Sequence, residues 1–249
     1  MGPETVPRRG DEPTAPLVGI LAGMGPHSTA PFLDAVIREC QAQYGARRDM
    51  EFPPILIYSL PTPFYPDRPL DHEAMERTIR GGLEKLARGG VRFIAMPCNT
   101  AHIYYDRLAA AVDVPLLHIV RETAGALDAG ARSVALLATR ATAESGLYQG
   151  PLRAAGVDVL ERQAWQDRVD RLLVAIKAGD PDREPAAAWR ELVAEIAAAG
   201  ADTLVLGCTD LAPLARRRTA GLAVLDSSLC LARAVVRRFL DERGRAGAS

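Results

Sequence analysis

The sequence has little net charge and no long hydrophobic run. Its 30 lysines and arginines nearly balance its 31 aspartates and glutamates, which gives a formal net charge of −1. A chain without a basic excess gives no support for binding to nucleic acid or to an anionic membrane surface. Its apolar runs are far too short to span a bilayer. Residues 1–16 are polar and proline-rich, lack the hydrophobic core of a signal peptide, and are predicted to form a flexible leader.

Cysteine is scarce, and the glycine motifs of nucleotide-binding proteins are missing. The four cysteines, at positions 40, 98, 208 and 230, form no CxxC pair and no zinc-like spacing with the four histidines. We therefore predict reduced thiols, no metal site and a cytoplasmic location. The loop Gly23-Met24-Gly25-Pro26 lacks the later glycine of a dinucleotide fingerprint and the Gly-Lys-Ser/Thr of a P-loop. No lysine motif for pyridoxal phosphate is evident, so no cofactor is expected.

What the chain does contain is a regular alternation of apolar runs and helix-compatible stretches. Its 249 residues, 48% of them hydrophobic, suffice for one large domain or two modest ones. Apolar runs of this kind, separated by longer helical stretches, are typical of parallel sheets with crossover helices. The pattern predicts an α/β fold. Strands are expected near residues 17–22, 54–59, 92–97, 115–119, 133–138, 157–161, 203–207 and 222–226, and one of the helices between them over residues 143–154.

Two cysteines occupy closely similar positions in the two halves of the chain. Cys98 follows the apolar run FIAMP and opens CNTAH, whereas Cys208 follows TLVLG and opens CTDL. Similarity upstream and downstream of both segments indicates a duplicated α/β unit. We therefore predict two pseudo-symmetric α/β domains with mainly parallel sheets, residues 17–115 plus 225–243 and residues 116–224. The active site is expected in the cleft between them.

Both thiols are candidate site residues, because open α/β sheets bind ligands at the carboxyl ends of their strands. The helix N-terminus after each cysteine is expected to lower the thiol pKa. Thr100 and Thr209 would cap these helices or offer a hydroxyl to a substrate carboxylate, and Asn99 supplies both a donor and an acceptor. Free cysteines also serve as small buried hydrophobic residues. That explanation covers either position alone, but not both at the same junction of a repeat.

Three charged or titratable residues have both a functional and a structural explanation. Arg68, in the proline-rich loop PTPFYPDRPL, would clamp a carboxylate if held rigidly, although a loop arginine is usually a solvated charge. Lys177 ends a helical stretch, where a cation already complements the helix dipole. His102 either packs near Cys98 or tunes its thiol. Similarly, the glycine loop after the first strand is either an ordinary turn or an anion site made of free N–H groups.

These motifs together resemble the aspartate/glutamate racemase superfamily, the cofactor-independent amino-acid racemases, and most closely its aspartate racemase branch. The resemblance runs from about residue 17 to residue 240. GILAGMGPHST is similar to the GGMGP-T loop of that branch, with Ala22 in place of a glycine. MPCNTAH and LGCTD resemble the CNTAH and LGCTE boxes that hold two catalytic cysteines, with Asp210 in place of the glutamate. The segments PDR and IKAG match positions whose arginine and lysine bind substrate carboxylates.

The resemblance implies an enzyme that interconverts the L- and D-enantiomers of an acidic amino acid, aspartate first and glutamate second. One cysteine thiolate removes the α-proton and the other thiol protonates the opposite face of the carbon. By analogy, Cys208 acts on the L-enantiomer and Cys98 on the D-enantiomer. The expected substrate-binding residues are Met24, Arg68, Asn99, Thr100, Thr139, Lys177 and Thr209, and the expected tuning residues are His102 and Asp210.

Other functions stay open at this stage. An enzyme resembling maleate isomerases or decarboxylases would use the same cysteine framework without racemisation. A carboxylate-binding protein would need neither thiol, and a redox protein would need the two thiols close enough for a disulfide. The expected substrate is a small-molecule amino acid. The chain is expected to form a homodimer.

Overall fold

The computed structural model describes residues 15–65, 68–178, 185–215 and 219–246. It shows an α/β fold with two parallel sheets, which confirms the predicted fold class. The predicted leader, apart from its last two residues, lies outside the described residues, as do Pro66 and Asp67. Within the described ranges, no helix combines the length and the apolar character needed to cross a membrane.

The first sheet contains β1 (Val18–Ala22), β2 (Ile55–Ser59) and β3 (Phe93–Ala95) in the order β2-β1-β3, all parallel. The central strand β1 is buried along its whole length, as its unbroken apolar run predicts. The crossover helices are α1 (Thr29–Tyr44) and α2 (His72–Arg88). The side chain of Asp71 accepts a hydrogen bond from the Ala74 N–H and so caps the start of α2.

After β3 the chain forms a 3₁₀ helix (Thr100–Tyr104) and two short helices, α3 (Tyr105–Ala109) and α4 (Ile119–Gly125). The strand predicted near residues 115–119 is wrong, since only an isolated parallel bridge joins Ile94 to Leu116. Pro115 has no N–H to extend the ladder. In addition, the side chain of His118 caps α4, so the chain leaves the sheet after two hydrogen bonds.

The second sheet repeats this order and adds a fourth strand. It contains β4 (Ser133–Ala138), β5 (Asp158–Leu160), β6 (Thr203–Gly207) and β7 (Ala223–Asp226) in the parallel order β5-β4-β6-β7. Its helices are α5 (Arg140–Glu144), α6 (Gln149–Ala154), α7 (Gln163–Lys177), α8 (Pro185–Ala198), α9 (Ala212–Ala215) and α10 (Ser227–Ala246). The single helix predicted over residues 143–154 is wrong, because Gly146 adopts φ +74° and separates α5 from α6.

Helix α10 joins the two sheets. It packs against α1 and α4, and Leu231 shares one buried cluster with Val18 of β1 and Val134 of β4. The predicted domain boundary at residues 224–225 falls within β7, which pairs with β6. The division into two domains stays a prediction; the shared core explains how strands from both sheets reach one cavity.

Candidate active site

Cys98 and Cys208 line one cavity of about 280 Å³ at the carboxyl ends of strands from both sheets. Small-molecule sites commonly enclose about 300–1,000 Å³, so this cavity suits a compact ligand. The described residues that line it are Gly23, Met24, Gly25, Pro26, Ser59, Pro61, Thr62, Phe64, Met75, Cys98, Asn99, Thr100, Thr139, Lys177, Gly207, Cys208, Thr209 and Asp210.

The two thiols reach the cavity in the same way. Cys98 lies three residues beyond the end of β3, and Cys208 directly follows β6, which is the corresponding strand of the second sheet. Each cysteine leads into a 3₁₀ helix, Thr100–Tyr104 or Thr209–Leu211. Both residues are less than a tenth exposed. The repeated strand order therefore delivers one thiol from each half.

The predicted lowering of the thiol pKa values is wrong. Burial raises the pKa of Cys98 to about 11, although the N–H groups of Ala101 and Thr100 oppose the shift. Burial also raises the pKa of Cys208, to about 12, and the carboxylate of Asp210 raises it further. The 3₁₀ helices that follow are three to five residues long and align few peptide dipoles. Desolvation of the thiolate consequently outweighs the N–H donors.

Three threonine hydroxyls form a closed triangle beside Cys98. Thr100 Oγ1 lies 2.9 Å from Thr139 Oγ1 and 3.0 Å from Thr142 Oγ1, and the last two atoms are 2.9 Å apart. Thr139 caps α5 by accepting a hydrogen bond from the Thr142 N–H. Thr100 and Thr139, two of the residues expected to bind substrate, line the cavity, whereas the fully buried Thr142 lies behind them and was not among the expected site residues. The one sequence feature that could have pointed to Thr142 is its position three residues after Thr139, which caps the helix.

The side chain of Asn99 connects the two halves of the molecule. Its Nδ2 donates to Ser227 Oγ at 3.0 Å, and its Oδ1 accepts a hydrogen bond from the Tyr148 hydroxyl at 2.5 Å. Ser227 in turn donates to the carbonyl of Leu206 in β6. Tyr148 and Ser227 are further site residues that sequence reasoning missed. These contacts fix the orientation of an amide that lines the cavity.

The glycine loop after β1 shapes one wall of the cavity. Gly23 has φ +88°, and a Cβ there would lie 2.5 Å from the backbone nitrogen of Leu60, so only glycine fits. The N–H of Gly23 donates to Thr29 Oγ1, which means that it is already used within the loop. Met24, one of the residues expected to bind substrate, lines the cavity. Four further apolar residues that line the cavity were not expected from the sequence, namely Pro26, Pro61, Phe64 and Met75.

Lys177 and Asp210 form an ion pair inside the cavity. The Lys177 Nζ donates to Asp210 Oδ2 at 2.8 Å, and the side chain of Asp210 is only 5% exposed. Lys177 is the last residue of α7, and Asp210 belongs to the 3₁₀ helix after Cys208. Thr209, between the two site residues Cys208 and Asp210, also lines the cavity.

Arg68 lies outside this cavity, and His102 packs near Cys98, the first of its two predicted roles. The exposed guanidinium of Arg68 stacks 4.4 Å above the ring of Tyr65 and lines a neighbouring cavity, which shares Phe64 and Thr139 with the first one. His102 Nδ1 lies 2.8 Å from the carbonyl oxygen of Cys98 rather than from its thiol. Its Nε2 accepts a hydrogen bond from the Ile119 N–H, and burial lowers its pKa to about 4. A neutral His102 thus anchors the backbone that carries Cys98.

Comparisons with known proteins agree with this geometry. The family described as Asp/Glu/Hydantoin racemase matches residues 21–235. The broad specificity amino-acid racemase RacX of Bacillus subtilis (strain 168) is 44% identical over 224 residues, which make up 90% of this chain and 98% of that protein.

Two solved structures share the fold. Picrophilus torridus aspartate racemase has a TM-score of 0.72 and 28% identity, covering 90% of this chain and 94% of that one. An aspartate racemase homologue from Pyrococcus horikoshii OT3 has a TM-score of 0.71 and 25% identity, covering 90% and 98%. The chain belongs to the Asp/Glu/hydantoin racemase family, which confirms the predicted family and enzyme class.

Proposed function

We propose that the protein racemises amino acids without a cofactor, with Cys98 and Cys208 as the two acid/base groups. The observation that carries the proposal is that one thiol from each half of a repeated fold lines the same small cavity. The name of the Bacillus relative supports amino acids as the substrate class. A racemase needs a group that removes a proton on one face of a carbon and another that returns one on the opposite face.

The raised thiol pKa values define the chemistry of each step. At neutral pH both sulfurs are mainly protonated, and the thiolate that does form is a strong base in a site shielded from water. That thiolate takes the α-proton, the electron pair stays on the substrate as a carbanion, and the second thiol gives its proton to the other face. Because the active form requires one ionised sulfur, kcat/KM is expected to rise with pH throughout the neutral range.

The carbanion needs donors near the substrate α-carboxylate, since no cofactor delocalises its charge in this mechanism. The side chains of Thr100, Thr139, Thr209 and Asn99 line the cavity. The Thr209 hydroxyl and the Asn99 amide can donate to that carboxylate directly, whereas Thr100 or Thr139 must first give up a hydrogen bond within the threonine triangle. They are held in place before substrate binds, Asn99 by Tyr148 and Ser227, and the first two threonines by Thr142. Such preorganised donors stabilise developing charge effectively in a buried site.

The test is solvent exchange combined with chiral separation. In deuterated water, the wild-type protein is expected to incorporate deuterium at the α-carbon of an L-amino acid and to yield the D-enantiomer. Cys98→Ala and Cys208→Ala are each expected to stop racemisation. Cys230→Ala is the matched control, because Cys230 is buried in α10 and does not line the cavity. Undiminished racemisation by either cavity variant would refute the two-thiol mechanism.

We further propose a cytoplasmic location and a homodimer. A reducing compartment keeps thiols free, and all four cysteines are unpaired in the structure. Light scattering on the purified protein measures the oligomeric state, and a monomer at micromolar concentration contradicts the homodimer.

A further inference from the structure

A second cavity adjoins the one that holds the two thiols. It encloses about 960 Å³ and shares Phe64 and Thr139 with the first cavity. One side of it is formed by the segment between β2 and α2 together with the 3₁₀ helix after Cys98, and the other side by α5 and α7. The compact cavity of about 280 Å³ around the thiols therefore borders a larger space at these two residues.

Phe64 presents an apolar surface to both cavities. It follows Pro61 and Pro63, whose rings restrict the backbone, and its N–H donates to the carbonyl of Thr62 at 2.8 Å. The half-buried ring of Phe64 has its centroid 5.6 Å from the Nζ atom of Lys177, within the range of a cation–π contact. The backbone and the cation together hold this ring at the boundary.

The groups that line the first cavity limit where a substrate side chain can lie. Two-base racemisation places a sulfur on each of two opposite faces of the α-carbon. The direct donors to the α-carboxylate are Thr209 and Asn99. The apolar side chains of Met24, Phe64 and Met75 also line this cavity and suit the side chain of a substrate. Of these three, Phe64 also borders the second cavity, so a side chain too long for the first cavity would extend past it.

The second cavity can receive such an extension. Its lining includes the apolar side chains of Leu70, Ile103 and Leu173. Arg140 and Asp170, which also line it, are bonded to each other, since the guanidinium donates twice to Asp170 Oδ2, at 2.6 and 2.9 Å. An alkyl chain that enters therefore gains apolar contacts without separating this ion pair.

We propose that the second cavity binds the outer part of long, unbranched substrate side chains, and that Phe64 lies between this part and the reacting α-carbon. The proposal rests on the racemase function proposed above and names its substrate class. A site of this kind holds the reacting atoms in one place while the side chain varies in length. The name of the Bacillus relative, a broad specificity amino-acid racemase, agrees with such an arrangement.

A series of straight-chain amino acids tests the proposal in the wild-type protein. Alanine, 2-aminobutyrate, norvaline and norleucine differ from one another only by successive methylene groups. The kcat/KM of racemisation, measured by chiral separation, is expected to rise at least tenfold from alanine to norleucine, because each methylene that packs in an apolar pocket strengthens binding. A flat or falling series overturns the proposal, as does racemisation of aspartate or glutamate without turnover of norleucine, and both results leave the racemase function intact. Failure to racemise any of these six amino acids refutes the proposed function itself.

A substitution inside the second cavity then tests where the side chain lies. Ala141 lines this cavity and not the first one, so Ala141→Phe fills part of the space that the outer methylene groups would occupy. The norleucine-to-alanine ratio of kcat/KM is expected to fall at least tenfold, and the use of a ratio cancels any general effect on the thiols. Ala154→Phe is the matched control, at an exposed position of α6 that lines neither cavity, and it should leave the ratio unchanged. An unchanged ratio in Ala141→Phe overturns the proposal.

Glu144→Phe provides the same test if Ala141→Phe does not fold. Glu144 lies about one helical turn after Ala141 and lines the second cavity, and its side chain is 66% exposed, so the added ring displaces no buried side chain. Glu144→Ala separates the loss of the charge from the added bulk. The norleucine-to-alanine ratio should be lower in Glu144→Phe than in Glu144→Ala, and equal ratios overturn the proposal.

Discussion

The half of the molecule that carries Cys98 and the half that carries Cys208 share a strand order but surround their thiols differently. Two backbone N–H groups, of Ala101 and Thr100, lower the pKa of Cys98. Cys208 has one such group, from Asp210. The carboxylate of Asp210 raises the pKa of both thiols, and Lys177 lowers both. Duplication of the fold has therefore preserved where the sulfurs lie and has changed the backbone donors around them.

The same comparison extends to the sheets. In the first half, the strand that would follow β3 is reduced to the bridge between Ile94 and Leu116, whereas β7 pairs with β6 over four residues. Behind β7 the chain enters α10 at Ser227, whose hydroxyl accepts a hydrogen bond from the amide of Asn99, beyond β3 of the first sheet. The added strand of the second sheet thus leads into a residue that positions this amide. The two halves are similar in topology but unequal in what they contribute to the cavity.

The largest expected effect is the loss of racemisation when either sulfur is replaced, and the remaining hydrogen exchange distinguishes the two roles. Cys98→Ser and Cys208→Ser retain a hydroxyl of similar size but a much weaker acid, and each should reduce racemisation about 10³-fold, within the range for loss of a general acid or base. If Cys208 acts on the L-enantiomer, Cys98→Ser should still exchange the α-hydrogen of the L-enantiomer and not of the D-enantiomer. Cys208→Ser should show the reverse. Equal exchange of both enantiomers in one variant would contradict the division of faces, as measured by mass spectrometry after chiral separation.

A smaller effect, on the free energy of unfolding, is expected at Tyr148, which bonds to Asn99. Tyr148→Phe removes the only hydrogen bond that the described structure shows to Asn99 Oδ1 and leaves a buried acceptor unpaired. The free energy of unfolding should fall by about 1–3 kcal/mol, measured by urea denaturation. Tyr58→Phe is the control, because its hydroxyl bonds to Lys85 at the surface, and its effect should stay below about 0.5 kcal/mol. Equal losses in the two variants would mean that the connection through Asn99 adds no stability.

Alkylation should reveal the raised pKa values of the two thiols. Burial raises both pKa values, to about 11 for Cys98 and about 12 for Cys208, so both should react slowly with iodoacetamide at pH 7. Below both values the thiolate fraction of each rises tenfold per pH unit, and both rates should rise with it. Site-resolved peptide mass spectrometry between pH 7 and 10 measures both rates. A rate at pH 7 equal to that of a free thiol, at either position, would refute the raised pKa values.

The sequence contained enough information for the positions of most strands and for the two thiols. Apolar runs located β1, β4 and β6, and the repeat placed a cysteine after corresponding strands, because buried parallel strands require continuous apolar stretches. The apolar run near residue 115 resembles the runs that do form strands. Hydrophobicity alone does not take into account that Pro115 has no N–H to donate to a neighbouring strand. The raised thiol pKa values were missed for a related reason, since the depth of burial is a property of the packed molecule.

The contacts that position the site residues depend on chain segments far apart in sequence. Asn99 meets Ser227 across 128 residues and Tyr148 across 49, and no local motif marks such pairs. Lys177 was a candidate from its match to the family, but its pairing with Asp210, 33 residues away, appeared only in the fold. Local patterns thus identify which residues carry chemistry, whereas the fold decides which of them are already engaged.

The smallest expected effect concerns Thr142, which links the halves through hydroxyls. It is buried behind Thr100 of the first half and Thr139 of the second and bonds to both, so we expect it to be a positioning residue. Thr142→Val removes the shared hydroxyl with little change in volume and should raise KM about three- to tenfold with a smaller change in kcat, as expected from the loss of one neutral hydrogen bond. Thr142→Ser should restore KM, because it restores the hydroxyl that orients the carboxylate donors. If Thr142→Val instead lowers the melting temperature and leaves KM unchanged, the triangle serves the fold of the Cys98 half and has no part in substrate binding.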